Sequence, residues 1–67
     1  MAMTRTQARE TLGLAVYDTP LKAGLEDLKV AEIRLLEVTH NEEEQKICRL
    51  WIKAIDTLLK LGDYELV

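Results

Sequence analysis

The sequence predicts an all-α fold in which a short N-terminal helix accompanies a long antiparallel αα-hairpin, assembled into a homo-oligomeric helical bundle. Two observations predict the helices: apolar residues recur at helical spacing, and cap residues lie at the ends of these stretches. A third observation predicts the assembly. The chain has only 67 residues, 48% of them hydrophobic. A domain this small buries about 60% of its unfolded surface and is marginally stable without a partner.

The first helix is predicted over residues 5–13. Thr4 or Thr6 supplies the N-cap oxygen, which accepts a hydrogen bond from a free amide of the first turn. Gly13 ends the helix, because glycine readily adopts the left-handed conformation that often follows a last turn. A helix this short is unstable alone, so we expect it to pack on the longer ones.

The second helix is predicted over residues 20–39. Thr19 and Pro20 form its start signal, because proline is tolerated at the first helical position, where its missing amide hydrogen costs nothing. Near-heptad spacing favours shallow packing against the third helix, and Gly24 permits close approach at a propensity cost of about 1 kcal/mol. The predicted packing stripe consists of Leu21, Gly24, Leu25, Leu28, Ala31, Leu35 and Leu36.

Val30 and Ile33 lie opposite this stripe, on the face of the second helix that water should cover. One interpretation is that they are scattered surface hydrophobic residues, which are common in soluble proteins. The other interpretation is that they belong to a subunit interface. The sequence leaves both open.

The third helix is predicted over residues 42–61 and has the clearest end signals in the chain. Asn41 and Glu44 have the spacing of a capping box, with Asn in the position that Ser or Thr usually takes. Three glutamates, 42–44, complement the positive end of the helix dipole, and Gly62 offers a left-handed stop. Because almost no residues remain for a connection, the second and third helices should form a tight hairpin.

The apolar arc of the third helix is too wide for a single neighbour. It covers more than half of the circumference, whereas a surface helix needs an apolar arc only somewhat wider than about 100°. We therefore predict neighbours on two sides, one of them in a second copy of the chain. The arc consists of Ile47, Cys48, Leu50, Trp51, Ile52, Ala54, Ile55, Leu58, Leu59 and Leu61. The candidate interface residues are Val30, Ile33, Leu50, Ile52, Leu59 and Leu61.

A basic stripe on the polar face of the third helix consists of Lys46, Arg49, Lys53 and Lys60. Glu42 and Asp56 precede Lys46 and Lys60 by four residues, so the basic stripe can be a solvated surface with helical ion pairs. It can also be a docking face for DNA, RNA or an acidic protein, although no aromatic residues interleave with the basic ones. The spacing favours the first interpretation.

Chemistry-bearing residues are too few for a catalytic or metal site. The single histidine, His40, lies at the turn before the third helix, and the single cysteine, Cys48, lies inside the apolar arc, where a thiol is inert. Serine is absent, the glycines are scattered, and structural zinc requires four ligands, mostly Cys and His. We therefore predict no enzymatic activity, no cofactor, no metal and no small-molecule substrate.

Composition and charge predict a soluble, cytoplasmic protein in a reducing compartment. The formal net charge is −3, and one cysteine excludes an internal disulfide. No apolar run reaches the roughly 18 residues of a membrane span. Residues 1–67 are predicted to form one domain with a short tail, 63–67, that folds back through Tyr64 or Leu66 or extends into solvent.

The predicted function is a small non-catalytic protein–protein interaction module, such as an adaptor, inhibitor or assembly factor, that forms a homodimer. The wide apolar arc is the reason to expect a protein partner or a second copy. The alternative is a small helical nucleic-acid-binding regulator that uses the basic stripe. Its basic density is low, so a nucleic acid is the less favoured partner.

Overall fold

A computed structural model describes residues 2–15 and 17–66, and within them the chain forms three helices and no strand. The helices are α1 (Arg5–Thr11), α2 (Lys22–Val38) and α3 (Glu42–Leu61). The predicted all-α class is therefore confirmed. The Cα radius of gyration is 11.9 Å, near the ~11 Å expected of a compact chain of 67 residues. Met1, Val16 and Val67, which the predicted domain includes, lie outside the described residues.

α1 begins with a capping box in which Thr4, and not Thr6, is the N-cap. The Gln7 amide donates to Thr4 Oγ1 over 3.1 Å, and the Thr4 amide donates to Gln7 Oε1 over 2.9 Å. The helix ends at Thr11, two residues before the predicted end at residue 13. The reason is that Gly13 already has a left-handed φ of 72°, which turns the chain out of the helix.

α2 begins at Lys22, two residues later than the proline signal predicts. Leu21 is extended, with φ −76° and ψ 142°, and forms a parallel bridge with Glu65 of the C-terminal segment. The Glu65 amide donates to the Pro20 carbonyl, and the Lys22 amide donates to the Glu65 carbonyl, each over 2.8 Å. The backbone at Pro20 and Leu21 is held extended by this pairing, so the helix starts only after it.

α3 occupies the range predicted for the third helix, 42–61, and Asn41 is its N-cap. The Asn41 Oδ1 atom accepts two first-turn amides, over 2.9 and 3.2 Å. In a capping box, the Glu44 carboxylate would accept a hydrogen bond from the Asn41 backbone amide. Here it accepts the Thr39 hydroxyl instead, over 2.7 Å. The Thr39 Oγ1 atom in turn accepts the Asn41 amide over 3.4 Å, so Thr39 joins the two residues indirectly.

α3 is the central element of the fold, because α1 and α2 each pack on it. The side chains of Ile55 and Leu58 are fully buried at this meeting point. Among the described residues, the buried core consists of Ala8, Leu25, Cys48, Ala54, Ile55 and Leu58. Partly buried apolar side chains pack against it, namely Met3, Leu12, Leu14, Leu28, Leu59 and Tyr64.

Only part of the leucine stripe predicted for α2 lies on its packing face. Leu21 and Leu35 are 47% and 46% exposed. Gly24 is also exposed, with no atom within 4 Å of the place where a Cβ would stand, so the predicted close approach is absent. Leu25, a member of the stripe, is buried in the core. The half-buried positions around Leu25 are Lys22, Leu28, Lys29, Glu32 and Leu36. The packing face therefore shares three leucines with the predicted stripe and also includes charged residues.

The C-terminal segment folds back over α1. The Asp63 carboxylate accepts hydrogen bonds from Arg5 and Arg9, each over 2.9 Å. Tyr64 is half-buried against the core, whereas Leu66 is 79% exposed. Of the two anchors considered for this segment, Tyr64 packs and Leu66 does not.

Candidate protein interaction surface

A groove runs along α3 between the N-terminal segment and α2. Its volume is about 620 Å³. The apolar side chains that line it are Ala2, Met3, Leu36, Ile52 and Leu61. A concave surface lined mainly by apolar side chains is the usual form of a binding site. We call this surface the α3 groove.

Three members of the basic stripe line the α3 groove and are exposed. They are Arg49, Lys53 and Lys60. Lys46 is exposed as well but lies outside the groove lining. The basic stripe therefore adjoins apolar side chains, and the groove combines positive charge with apolar area.

Asp56 contributes a carboxylate to the α3 groove. The helical ion pair expected from its spacing was with Lys60. The structure instead places the Asp56 carboxylate 2.5 Å from Lys29 Nζ on α2. Lys29 Nζ therefore offsets the Asp56 charge, and the groove keeps a net positive sign. Because these side chains are 35% and 49% exposed, the pair stabilises the fold by less than about 1 kcal/mol.

The six candidate interface residues do not share one environment. Four are exposed: Val30, Ile33, Leu50 and Leu61. Ile52 is half-buried in the lining of the α3 groove, and Leu59 is half-buried against the core. Leu59 therefore contributes mainly to packing within the chain, and the other five retain surface toward solvent.

The outer face of α2 carries an apolar pair between two carboxylates. Glu26 lies four residues before Val30, and Glu37 lies four residues after Ile33. The spacing of four, three and four residues places these two glutamates and the apolar pair on one helical face, and all four side chains are exposed. We call these four residues the α2 stripe. Its acidic flanks can be found from helical spacing, but its position relative to the α3 groove requires the tertiary structure.

Comparisons of the chain with family models, with curated proteins and with solved structures give no match. Functional inference therefore rests on the chemistry of the surface itself. Within residues 2–15 and 17–66, no helix combines the length and the apolar character needed to cross a membrane.

A second, smaller cleft lies between α2 and α3 near their connection. Its volume is about 310 Å³, and Leu35, Ile47 and Trp51 supply its apolar lining. Ile47 is 55% exposed and Trp51 is half-buried, although both belong to the apolar arc that was expected to pack. The reason is length, since α1 has seven residues and covers only part of the 20-residue α3.

Cys48 lines the second cleft, but its thiol is a poor nucleophile. The residue is 2% exposed. Burial first, then a hydrogen bond with Glu32 and the charges of Glu32 and Glu44, raise the pKa of the Cys48 thiol. His40 is exposed in the connection between α2 and α3. In the part of the chain that the structure describes, no three His, Cys, Asp or Glu side chains are grouped as metal ligands would be.

Proposed function

We propose that the protein is a small non-catalytic protein–protein interaction module whose antiparallel α2–α3 hairpin pairs with a second copy to form a homodimeric helical bundle. The observation that carries the proposal is the exposed apolar surface of the two long helices. On α3 alone, Ile47, Leu50 and Leu61 are 55%, 46% and 58% exposed. This helix has more apolar surface than its own chain covers.

Energetics favour association. Complete burial of a fully exposed Leu or Ile side chain contributes about 1.5–3 kcal/mol. These side chains are about half exposed, so each would contribute about half of that. Six residues of the part of the chain that the structure describes are buried in the core. A domain this small is marginally stable, and a partner that covers apolar surface adds to its stability. The α3 groove supplies a concave surface where such a partner can pack.

Sedimentation equilibrium of the full chain tests the proposal. At protein concentrations of about 1 to 200 μM, a range suited to micromolar dimers, we expect the mass to rise toward twice the 7.7 kDa of one chain. A mass of 7.7 kDa over the whole range would contradict the homodimer.

A second candidate function, nucleic-acid binding, is favoured by one observation: all four members of the basic stripe are exposed on the same helix. Fluorescence anisotropy with a short DNA duplex and a single-stranded RNA at low salt tests it. If this function is correct, binding weakens as salt increases and is lost in the Arg49→Glu, Lys53→Glu variant. Arg34→Glu, an exposed change on α2, serves as the control for general charge effects. Absence of binding at low salt rules this function out.

A further inference from the structure

The α3 groove and the α2 stripe carry opposite charges. The groove is lined by Arg49, Lys53 and Lys60, and its one lining carboxylate, Asp56, is bound to Lys29. The α2 stripe presents the two carboxylates of Glu26 and Glu37 beside exposed Val30 and Ile33. In a chain whose net charge is −3, a positive groove is a local feature that an acidic partner would complement.

The two surfaces also match in length. Glu26 and Glu37 are eleven residues apart on α2, and Arg49 and Lys60 are eleven residues apart on α3. Eleven residues of helix span about 16 Å in each case. Between the charged ends lie Val30 and Ile33 on the stripe, and Ile52, Lys53 and Asp56 on the groove. The charged ends of the two surfaces therefore have opposite signs at the same spacing, and each surface has apolar side chains beside them.

Position on the fold permits a reciprocal contact. The groove lining includes Leu36 of α2, and Ile33 lies one helical turn before Leu36. The α2 stripe and the α3 groove consequently adjoin each other on one molecule. A two-fold axis that passes between them places the stripe of each copy against the groove of the other. This is the reciprocal contact that an isologous dimer requires.

We propose that the occupant of the α3 groove is the α2 stripe of a second copy of this chain. Two such contacts form per dimer, because each copy supplies one groove and one stripe. Val30 and Ile33 of one copy pack against the apolar lining of the other, and Glu26 and Glu37 meet the cations of the groove. This inference rests on the proposed homodimer and specifies its interface.

Paired charge reversals test the interface. One variant is Glu26→Lys, Glu37→Lys, and the other is Arg49→Glu, Lys60→Glu. Each variant alone brings like charges together in both contacts, so we expect its self-association to weaken at least about tenfold. When the two variants are mixed, both contacts again join opposite charges. The mixture should therefore form a heterodimer with a dissociation constant within about threefold of the wild-type value.

The readout is sedimentation velocity of each variant and of the equimolar mixture, with native mass spectrometry to identify the heterodimer. The control is Glu10→Lys, Asp27→Lys, which changes the charge by the same amount and sign as Glu26→Lys, Glu37→Lys, at exposed positions outside both surfaces, and should dimerise as the wild type does. Circular dichroism checks that every variant remains helical. Heterodimer formation itself requires both variants to fold, so rescue also excludes misfolding as the cause of dissociation.

The outcomes separate this inference from the proposed function. If the wild type dimerises but the reversals have no effect, or if the helical variants fail to pair when mixed, the interface is wrong and the homodimer stands. If the wild type is monomeric at all concentrations, the homodimer and the interface both fail. Loss of association in each variant with recovery in the mixture supports the interface.

Discussion

Arg9 joins three segments of the chain through one guanidinium group. It donates to the Asp63 carboxylate over 2.9 Å, to the Ala15 carbonyl over 2.6 Å and to the Asp18 carbonyl. Its side chain is only 12% exposed, whereas that of Arg5, the other partner of Asp63, is 63% exposed. Both arginines make an ion pair at the same distance, but water screens Arg5 far more strongly.

We predict that Arg9→Ala lowers the free energy of unfolding by about 2–3 kcal/mol, because it leaves a largely buried carboxylate and two carbonyls without this donor. Arg5→Ala should cost less than about 1 kcal/mol. Arg9→Lys should recover only part of the lost unfolding free energy, since an ammonium group cannot reproduce the planar, forked arrangement of the guanidinium donors. Urea unfolding of the three variants measures these values, and equal losses in the two alanine variants would contradict the prediction.

Asp63 makes the attachment of the C-terminal segment sensitive to acid. The Arg5 hydrogen bond has the largest effect and lowers the pKa of the Asp63 carboxyl below its ordinary value of 3.8. Burial opposes it, whereas the Arg9 hydrogen bond and the charges of both arginines lower the pKa further. A pKa that is lower in the folded state stabilises the protein above the unfolded value. This stabilisation is lost as pH falls through the folded value.

We predict that Asp63→Asn destabilises the protein by about 1–2 kcal/mol at neutral pH, because two charge-assisted hydrogen bonds are lost. The difference from the wild type should shrink at about pH 2.5, because this pH lies below the ordinary carboxyl pKa of 3.8 and the stabilisation is lost as pH falls toward the lowered folded pKa. Urea unfolding at both pH values measures this change. Asp27→Asn, at an exposed position of α2, is the control. A wild-type advantage of the same size at both pH values would rule out the acid sensitivity.

At the scale of elements, helix ends were predictable where the signal is local. Asn41 caps α3 and Gly62 ends it with φ 72°, and both residues adjoin the helix in sequence. The start of α2 depends instead on hydrogen bonds of Pro20 and Lys22 with Glu65, more than 40 residues away. No local pattern contains that information. The proline signal therefore placed the start two residues early.

The candidate site was also predictable only where its residues lie on one helix. Helical spacing alone identified the basic stripe and the pair Val30 and Ile33, because residues on one helix are related by a fixed period. Spacing did not identify Met3 and Leu36 as lining residues of the α3 groove, since their positions depend on how other segments pack on α3. For the same reason, the pairing of Asp56 with Lys29 was missed.

Two glycines should respond to the same substitution with opposite signs. Gly62→Ala places a Cβ on a residue with φ 72°, so we expect a loss of about 1 kcal/mol. Gly24→Ala adds a Cβ in open space inside α2, where alanine has the better helix propensity, so we expect a gain of about 0.5–1 kcal/mol. Thermal and urea unfolding measure both effects. A loss in Gly24→Ala would indicate that this face of α2 is covered, in contradiction to the structure.

At the scale of the whole molecule, the exposed apolar surface and the small core have the same cause, which is that the helices cover one another only in part. Two helices pack on α3, but α1 is too short to cover its full length. Leu35 and Ile47, which line the second cleft, and Leu61, which lines the α3 groove, remain 46%, 55% and 58% exposed. Association in solution would bury part of this surface, and folding and dimerisation would then share the same apolar contacts.

Such coupling predicts a melting temperature that depends on protein concentration. When the protein concentration is a hundredfold above the dissociation constant, mass action adds about 2.7 kcal/mol to the stability of the folded state. The wild-type melting temperature should therefore rise by at least about 5 °C between 2 and 200 μM. Ile33→Lys places a charge in the proposed contact and should remove most of this dependence. Tyr17→Lys, at a residue that is 88% exposed and outside both surfaces, should retain it. Circular dichroism melts at the two concentrations measure the shift. A wild-type midpoint that does not change with concentration would mean that one copy folds without help from a second.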